Sequence, residues 1–370
     1  MARAAVLTSV GAPLEVREDV EVAPPGPGEV RIKTGASGVC HSDLSVQNGT
    51  IPLPTPIVLG HEGAGTVVEV GDGVTNVAPG DHVVLSFVPS CGECYTCRRG
   101  QNYLCEKSQM AVMGGLLDGT TRLSSGGAPL HQMAMCGTFS NETIVPAISV
   151  VKIDNDIPLK IAALIGCSVL TGVGAALNTA DIQEGDTVAV LGCGGVGLNV
   201  IQGAVLAGAG EIIAIDTFES KLELAKHFGA TSTVKVGDAG ADAVTAVMDL
   251  SAGRGADVSF EVIGLGPTME QAINMVRSGG EVVFVGVPRM DVMLNLPAAF
   301  TFLYLNKSIK GCWYGSSVVQ RDVPKLLDLY REGRLMLNEL ISREIDVSDI
   351  NDAFGAMQAG EVARSVVVYE

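Results

Sequence analysis

The sequence predicts an α/β protein that combines a doubly wound parallel sheet with a second, mostly-β domain. From about residue 151 onwards, apolar runs of strand length alternate with stretches of helical spacing. That alternation is typical of a parallel sheet with helices on both faces. Residues 1–150 instead carry short β-type runs punctuated by Gly and Pro, which favours a compact β domain. The length of 370 residues accommodates about two domains.

The individual elements follow from the local patterns. The first part has β-type runs between turn residues, at 29–34, 64–70 and 82–87. The second part begins with an uninterrupted apolar strand and then alternates helix and strand, in the order 186–191, 195–209, 211–216, 220–228, 257–262, 268–276 and 281–287. The tail adds two helical patterns and a final apolar strand, at 322–332, 347–358 and 365–369.

The charge balance bounds the partners. Lys and Arg total 24 and Asp and Glu total 41, which gives a net charge of −17. This acidity argues against nucleic acid and anionic membranes as partners. We expect no apolar run of the roughly 18–20 residues that would span a bilayer. The first ten residues do not resemble a secretory leader, so we expect a cytoplasmic protein with reduced cysteines.

Four of the nine cysteines fall within fifteen residues, which is the strongest single signal. Cys91, Cys94, Cys97 and Cys105 have the spacing C-x2-C-x2-C-x7-C. Four thiolates suit tetrahedral Zn²⁺ with no open position, which predicts a structural rather than a catalytic site. The alternatives are a disulfide cluster and an iron–sulfur site.

Three further segments each offer one metal ligand, at Cys40, His61 and Cys167. Taken singly, each fits a buried core cysteine or histidine. Taken together, two thiolates and an imidazole would leave one coordination position open, as catalytic zinc sites do.

A glycine-rich loop follows the predicted strand 186–191 and opens a predicted helix. Its glycines are Gly192, Gly194, Gly195 and Gly197. Such a loop lets the backbone approach a pyrophosphate at a helix N-terminus. Asp216 ends the next strand and would accept hydrogen bonds from a ribose, which favours NAD over NADP. The alternative is a glycine-rich turn in an unrelated α/β fold.

These three sets, in this order, resemble the zinc-dependent medium-chain alcohol dehydrogenases over essentially the whole chain. The stretch from Gly60 to Val74 resembles the zinc signature of the family, and 137–140, 166–167 and 286–288 resemble further segments. The resemblance implies three parts. They are a GroES-like catalytic domain at 1–168 that carries the structural zinc loop 91–105, a Rossmann-type NAD-binding domain at 169–313, and a return to the catalytic domain at 314–370.

The resemblance also implies roles for the metal-site residues. Cys40, His61 and Cys167 would bind the catalytic zinc, and the four clustered cysteines the structural zinc. Asp43 resembles the carboxylate that orients the ligand histidine. Glu62 resembles a glutamate near the zinc, and Ser42 the hydroxyl that touches the substrate oxygen.

Further residues resemble cofactor and substrate contacts. Phe87 and Ile51 resemble walls of the substrate pocket, although both also fit a plain core. Arg364 resembles a residue that contacts the cofactor phosphates, against the alternative of a surface arginine. Besides the loop glycines, the expected cofactor contacts are His41, Thr171, Val196, Asp216, Lys221, Val262, Gly264, Val287 and Arg364.

The chain departs from the family pattern in three places. Ser45 stands where many members have the histidine that ends a proton relay. His41 stands where many have an arginine on the pyrophosphate. Ile51 stands where the glutathione-dependent formaldehyde dehydrogenases tend to carry an acidic residue.

The segment 106–138 resembles the longer loop of the dimeric, class III-like subfamily. In these dimers the cofactor domains pair through edge strands near 300–318, and the runs 300–305 and 309–314 are apolar enough for that role. We therefore expect a homodimer, with a tetramer as the alternative.

The expected reaction is reversible hydride transfer between a primary alcohol (medium-chain, allylic or aromatic) and NAD. Two zinc ions per subunit are expected. The alternative enzyme is a formaldehyde dehydrogenase that acts on an S-hydroxymethyl thiol adduct. In a variant of the first hypothesis, the alcohol dehydrogenase keeps NAD permanently bound. A non-catalytic binding protein of the same fold is the third hypothesis, and the complete zinc ligand set argues against it.

Overall fold

The computed structural model describes residues 1–237, 242–360 and 364–369. The backbone divides into two compact units. Unit 1 comprises Met1–Ser168, Val318–Glu332 and Leu337–Glu370. Unit 2 comprises Val169–Ser317 and Gly333–Met336.

Unit 1 is mostly β structure and contains a small closed barrel. In sequence order its strands are β1 (Ala2–Leu7), β2 (Glu15–Val22), β4 (Ile57–Val58), β7 (Leu123–Ser125) and β8 (Ala128–Gln132). Around the barrel the order is β1, β2, β7, β8 and β4.

A second sheet in unit 1 positions most of the site. Its strands are β3 (Glu29–Gly38), β5 (Glu62–Val70), β6 (His82–Leu85), β9 (Glu142–Pro146), β10 (Val150–Ile153), β17 (Arg343–Ile345) and β18 (Ser365–Val368). The order is β10-β6-β5-β3-β18-β17, and β9 also pairs with β3. The three strands expected in the first part of the chain form. β3 runs past its predicted end at residue 34 because its pairing with β5 and β18 continues to Gly38.

The helices of unit 1 are short except in the tail. They are α1 (His41–Gln47), α2 (Tyr95–Arg98), α3 (Leu159–Leu164), α9 (Val319–Arg331) and α10 (Ile350–Gln358). α9 begins three residues before its predicted start. α10 begins three residues after its own, because 347–349 forms a 3₁₀ turn in which Ser348 N donates to the Asp346 carboxylate at 2.9 Å.

Unit 2 is built on a parallel six-stranded sheet. Its strands are β11 (Thr187–Leu191), β12 (Glu211–Asp216), β13 (Ser232–Lys235), β14 (Ala256–Glu261), β15 (Val276–Phe284) and β16 (Ser308–Gly311). The order is β13-β12-β11-β14-β15-β16, so the chain turns back between β11 and β14. Ligands of open α/β sheets bind at this switch point, beyond the carboxyl ends of the strands.

The helices of unit 2 alternate with these strands, as the sequence predicts. They are α4 (Leu170–Gly174), α5 (Gly195–Ala207), α6 (Glu219–His227), α7 (Ala243–Leu250) and α8 (Gly266–Met275). All five residues of β11 are buried, which explains why this strand reads as one apolar run.

The apolar run 300–305 is not an edge strand, so that part of the dimer expectation is wrong. Residues Ala299–Tyr304 form a π-helical turn instead. Thr301 N donates to Pro297 O and Leu305 N to Phe300 O, both at 2.9 Å, so the run closes local hydrogen bonds. The sheet has two edge strands, β13 and β16, and β16 is the one in this part of the chain.

The expectation that no apolar segment is long enough to span a bilayer also needs correction. Within the described residues, the helical run Leu159–Thr179 is 21 residues long and sufficiently apolar. Of its most apolar window, 83% is buried inside the protein. Core burial thus accounts for its composition.

Candidate functional site

The loop after β6 brings four cysteines together. The sulfur atoms of Cys91, Cys94, Cys97 and Cys105 all lie within 4.8 Å of one another, and those of Cys91 and Cys97 are 3.9 Å apart. A tetrahedron with Zn–S bonds of about 2.3 Å has edges of about 3.8 Å, so the spacing fits zinc. All nine cysteines are free thiols, so the disulfide alternative is wrong.

Local groups already favour a thiolate in this loop. The Thr96 hydroxyl lies 3.3 Å from the Cys94 sulfur and, with backbone N–H groups, lowers the pKa of Cys94 to about 5. Burial raises the pKa of Cys97 to about 12. A bound cation is what would hold both as thiolates, and a zinc ion would supply that charge.

A second cluster of ligand atoms forms from distant parts of unit 1. Cys40, His61, Glu62 and Cys167 are all buried, and one ligand atom from each lies within 4.8 Å of the others. Cys40 immediately precedes α1, His61 and Glu62 stand at the start of β5, and Cys167 lies in the helical turn after α3. Two sulfurs and an imidazole nitrogen fit zinc with a position left for a further ligand.

Asp43 connects two of these segments. Its Oδ1 accepts hydrogen bonds from His61 Nδ1 at 3.0 Å and from the backbone N–H of Gly60 at 3.1 Å. Its Oδ2 accepts from the backbone N–H of Cys40 at 2.9 Å. Because the ionised carboxylate only accepts, His61 carries its proton on Nδ1 and keeps Nε2 for a metal.

Glu62, the fourth member of the cluster, forms a buried ion pair with Arg364. Neither carboxylate oxygen of Glu62 accepts a hydrogen bond from the described residues, and Arg364 Nη1 lies 3.5 Å from Oε1. Burial raises the pKa of Glu62 to about 7, against the opposing charge of Arg364. Arg364 is 5% exposed and donates to the backbone carbonyl of Val39 at 2.9 Å, so the surface-arginine alternative is wrong.

Sequence reasoning missed Gly38, which makes room for this pair. A Cβ at position 38 would collide with the Oε2 of Glu62. The available signal was weak: a glycine four residues beyond the end of the predicted strand 29–34 and two residues before Cys40.

The other predicted residues of unit 1 lie at different distances from the cluster. Ser42 is half-buried, with its hydroxyl 3.8 Å from the Cys40 sulfur, whereas His41 is exposed. The Phe87 ring meets the His61 ring edge to face, with centroids 5.6 Å apart. Ile51 is partly buried and packs against a core cluster. Ser45 is buried in α1.

The glycine loop of unit 2 connects β11 to α5. Gly192 has φ +98°, and a Cβ on Gly197 would collide with the Gly192 carbonyl, so both positions require glycine. Gly194 directly precedes Gly195, the first residue of α5. Asp216 accepts from the backbone N–H of Cys193 at 2.8 Å, which ties the end of β12 to the loop.

The remaining cofactor candidates fall into two groups. His41 and Arg364 belong to unit 1. In unit 2, Lys221 Nζ lies 4.8 Å above the Phe218 ring. Glu261, at the end of β14, accepts from the backbone N–H of Gly264 at 2.8 Å. The others lie in α4, in α5 and beyond the ends of β14 and β15, at Thr171, Val196, Val262 and Val287.

Comparison with known proteins identifies the family. The family "Alcohol dehydrogenase GroES-like domain" matches residues 26–155, and the family "Zinc-binding dehydrogenase" matches residues 195–332. The chain belongs to the zinc-dependent medium-chain alcohol dehydrogenases and is an oxidoreductase. The expected family and fold class are thereby confirmed.

Three relatives illustrate the range of this family. The chain is 41% identical over 370 residues to an S-(hydroxymethyl)glutathione dehydrogenase of Escherichia coli O1:K1, covering 99% of both chains. It is 38% identical over 371 residues to the NDMA-dependent alcohol dehydrogenase of Amycolatopsis methanolica, covering 99% of this chain and 98% of that one. The crystal structure of benzyl alcohol dehydrogenase from Acinetobacter calcoaceticus has a TM-score of 0.93 and 29% identity, covering 100% of this chain and 99% of that one.

Proposed function

We propose that the protein transfers hydride between a primary alcohol (medium-chain, allylic or aromatic) and NAD, giving the aldehyde. The single observation that carries the proposal is the buried set of Cys40, His61 and Cys167 with Asp43 behind it. When bound, zinc supplies a Lewis acid for the alcohol oxygen, and nicotinamide supplies the hydride acceptor. The proposal includes two zinc ions per subunit, one in each cluster.

The side chains of the chain have separate tasks in this reaction. Asp43 fixes the ring plane and the tautomer of His61. Ser42, half-buried beside Cys40, would accept the proton of the alcohol hydroxyl at Oγ and pass its own hydroxyl proton on toward the nicotinamide ribose. Arg364 stabilises the charge of the buried Glu62 carboxylate, which would otherwise be costly. Buried surroundings exclude water and strengthen each of these interactions.

An apolar substrate is supported by Phe87. Its ring and the ring of the proposed ligand His61 meet edge to face, with centroids 5.6 Å apart, so an aromatic side chain lies beside the reacting position. We propose Phe87 and Ile51 as walls of the substrate pocket. A series of benzylic, allylic and straight-chain primary alcohols tests the proposal through kcat/KM. Highest values for small polar alcohols would contradict it.

NAD is supported as the cofactor by Asp216. Its carboxylate is buried at the end of β12, beside the glycine loop. The 2′-phosphate of NADP would meet this negative charge, whereas ribose hydroxyls can donate to it. We propose His41, Lys221 and Arg364 as further contacts, together with Thr171, Val196, Val262, Gly264 and Val287.

A thiol-dependent formaldehyde dehydrogenase is the second candidate. It is favoured by the 41% identity to the Escherichia coli enzyme of that name. It is disfavoured by Ile51, which offers an apolar side chain where that class tends to carry an acid. Formaldehyde oxidation with and without added low-molecular-weight thiols separates the two. Strict thiol dependence, with no oxidation of the alcohol series, would favour the second candidate.

The first experiment measures zinc and nucleotide on the protein purified without added cofactor. Two zinc ions and no nucleotide support dissociable NAD. Two zinc ions with stoichiometric nucleotide support a permanently bound cofactor. In that case an artificial electron acceptor is required for turnover. One zinc ion or none contradicts the two-site proposal.

We also propose the domain division 1–168, 169–313 and 314–370, a cytoplasmic location and a homodimer. The dimer is supported by exposed Leu303 and Tyr304, each 79% exposed, in the turn before the edge strand β16. Large apolar side chains exposed side by side in one turn favour self-association. Light scattering should give twice the subunit mass, and Leu303→Lys should give the monomer. A native tetramer would contradict the proposal.

A further inference from the structure

Large apolar side chains are exposed beyond the carboxyl ends of three neighbouring strands of unit 2. Leu265 (55% exposed) follows β14, Val287 (45%) follows β15, and Trp313 (48%) follows β16. Exposed apolar side chains grouped in this way mark ligand-binding surfaces. The carboxyl ends of parallel strands are where open α/β sheets bind their ligands.

The strand order gives a direction to a dinucleotide on this edge. Asp216 ends β12, and the glycine loop follows β11. The adenosine ribose would therefore lie over β12 and the pyrophosphate over β11. The sheet continues through β14 and β15 to β16, so the nicotinamide end lies on the side of Trp313.

The turn after Trp313 has an unusual backbone. Tyr314 has φ +55°, Gly315 +65° and Ser316 +48°, three successive residues in the left-handed region. Residues other than glycine rarely adopt it, and such turns persist only where the surroundings hold them. Tyr314 is buried, so its surroundings can hold this turn in place.

Hydrogen bonds fasten this turn to the helical residues 170–179 of the same unit. Asn178 Nδ2 donates to the Gly315 carbonyl at 3.2 Å. The hydroxyls of Thr179 and Ser316 lie 2.8 Å apart, and Ser317 Oγ donates to the Leu170 carbonyl at 3.3 Å. The turn therefore gives the preceding residue, Trp313, a fixed position at the end of β16.

We propose that Trp313 is a cofactor-contact residue whose indole packs against the nicotinamide ring. This inference rests on the proposed NAD-dependent function. The oxidised ring is flat and positively charged, and indole is the best aromatic partner for such a charge. The contact with Trp313 should therefore raise the affinity of the protein for NAD more than its affinity for NADH.

Because Trp313 is the only tryptophan of the chain, the tryptophan fluorescence of the protein reports on this residue alone. The experiment titrates the zinc-loaded, nucleotide-free full chain with NAD or with ADP-ribose, and follows tryptophan fluorescence and calorimetric binding in parallel. Oxidised nicotinamide does not absorb the emission of tryptophan, so quenching by NAD requires close contact. ADP-ribose fills the adenosine and pyrophosphate positions without the nicotinamide. We expect NAD to quench the emission and ADP-ribose to leave it unchanged.

Variants of Trp313 test how much this residue contributes to NAD binding. Trp313→Ala should weaken NAD binding about five-fold without changing the affinity for ADP-ribose. Trp313→Phe, which disturbs the turn least, should show the same selectivity with a smaller loss. The matched control is Phe218→Ala, because Phe218 follows Asp216 at the adenosine end. That variant should weaken both nucleotides alike.

The outcomes separate the two proposals. If both nucleotides bind calorimetrically and neither quenches, Trp313 does not contact the nicotinamide, and the proposed function stands. Equal quenching by NAD and ADP-ribose, or an unchanged affinity ratio in both Trp313 variants, also overturns the inference. If neither nucleotide binds, the proposed function fails, and the inference fails with it.

Discussion

The carboxylate of Asp43 accepts a hydrogen bond from His61 Nδ1 at 3.0 Å with one oxygen and from the Cys40 backbone at 2.9 Å with the other. One side chain therefore fixes a ring and a loop that are distant in sequence. Both segments carry proposed ligands of the same metal. The positions of two ligands depend on a residue that does not itself bind the metal.

Asp43→Asn should weaken this centre selectively. The amide nitrogen donates where one carboxylate oxygen accepted, so at least one of the three N–H donors (His61 Nδ1, Gly60 N and Cys40 N) loses its acceptor. Loss of such a partner lowers metal affinity or activity by about 10- to 100-fold. Zinc retained against a graded chelator and kcat/KM measure the effect. Glu339→Gln, a change of an exposed carboxylate, is the control, and equal zinc retention in both variants would contradict the assignment.

Variants of single ligands should affect the two metal centres independently. Cys40→Ala should lose one zinc ion and turnover with little change in Tm, because the structural loop is intact. Cys94→Ala should lose the other zinc ion and lower Tm, because a closed zinc site stabilises the fold of its loop. Metal analysis and thermal unfolding of both variants test this. Turnover that survives in Cys40→Ala would refute the ligand assignment.

Gly38→Ala should be costly although it adds only a methyl group. The new Cβ would collide with the carboxylate of the fully buried Glu62 and would also lie 3.1 Å from the Glu62 Cβ, so turning the carboxylate alone does not relieve the crowding. Such overpacking costs about 1–3 kcal/mol in the free energy of unfolding. Gly355→Ala is the matched control, because Gly355 lies in α10 with open space around the Cβ position. It should stabilise the protein by about 0.5–1 kcal/mol. Similar unfolding curves for both variants would contradict the crowded position of Gly38.

Asp216→Ser should relax cofactor choice. Removing the carboxylate removes its repulsion of a 2′-phosphate, so the ratio of kcat/KM for NAD over NADP should fall at least about ten-fold. Part of the decrease in kcat/KM for NAD will come from a disturbed glycine loop, because the Cys193 N–H loses its acceptor. Initial rates with both cofactors measure the ratio. If it stays constant while both rates fall, Asp216 only supports the loop.

Acidic pH should destabilise the fold by removing the interaction between Asp118 and Arg122. The Arg122 guanidinium, which donates to Asp118 at 2.7 Å, lowers the pKa of that carboxyl to about 2. The folded pKa lies below the unfolded value of about 3.9, so the stabilisation is present above pH ~4 and is lost as pH falls towards 2. Asp118→Asn should lower Tm at neutral pH, and the difference from wild type should shrink in that window.

The control for this pH dependence is Asp72→Asn, which changes another exposed carboxylate. Its Tm difference should not follow the same window. A Tm difference for Asp118→Asn that is constant from pH 6 to pH 3 would show that the Arg122 interaction does not stabilise the fold.

Most elements of unit 2 were predictable because each strand and helix has its own local pattern. β12 matches its predicted bounds, and the predicted helix 268–276 differs from α8 by two residues at its start and one at its end. The run 300–305 was not predictable as a helical turn, because a short apolar run fits either state. Trp313 lies in the run 309–314 that the sequence analysis assigned to the dimer edge, so its proposed contact with the cofactor was not predicted.

The sequence by itself determined what depends on short spacing: four cysteines within fifteen residues, and glycines between a strand and a helix. Only the tertiary structure decided what depends on distant segments. The cluster of Cys40, His61 and Cys167, and the burial of Arg364 against Glu62, follow from strand pairing and helix packing that no local period records. The physical reason is that a loop fixes the distances between neighbouring ligands, whereas distant ligands meet only when a packed core holds their elements together.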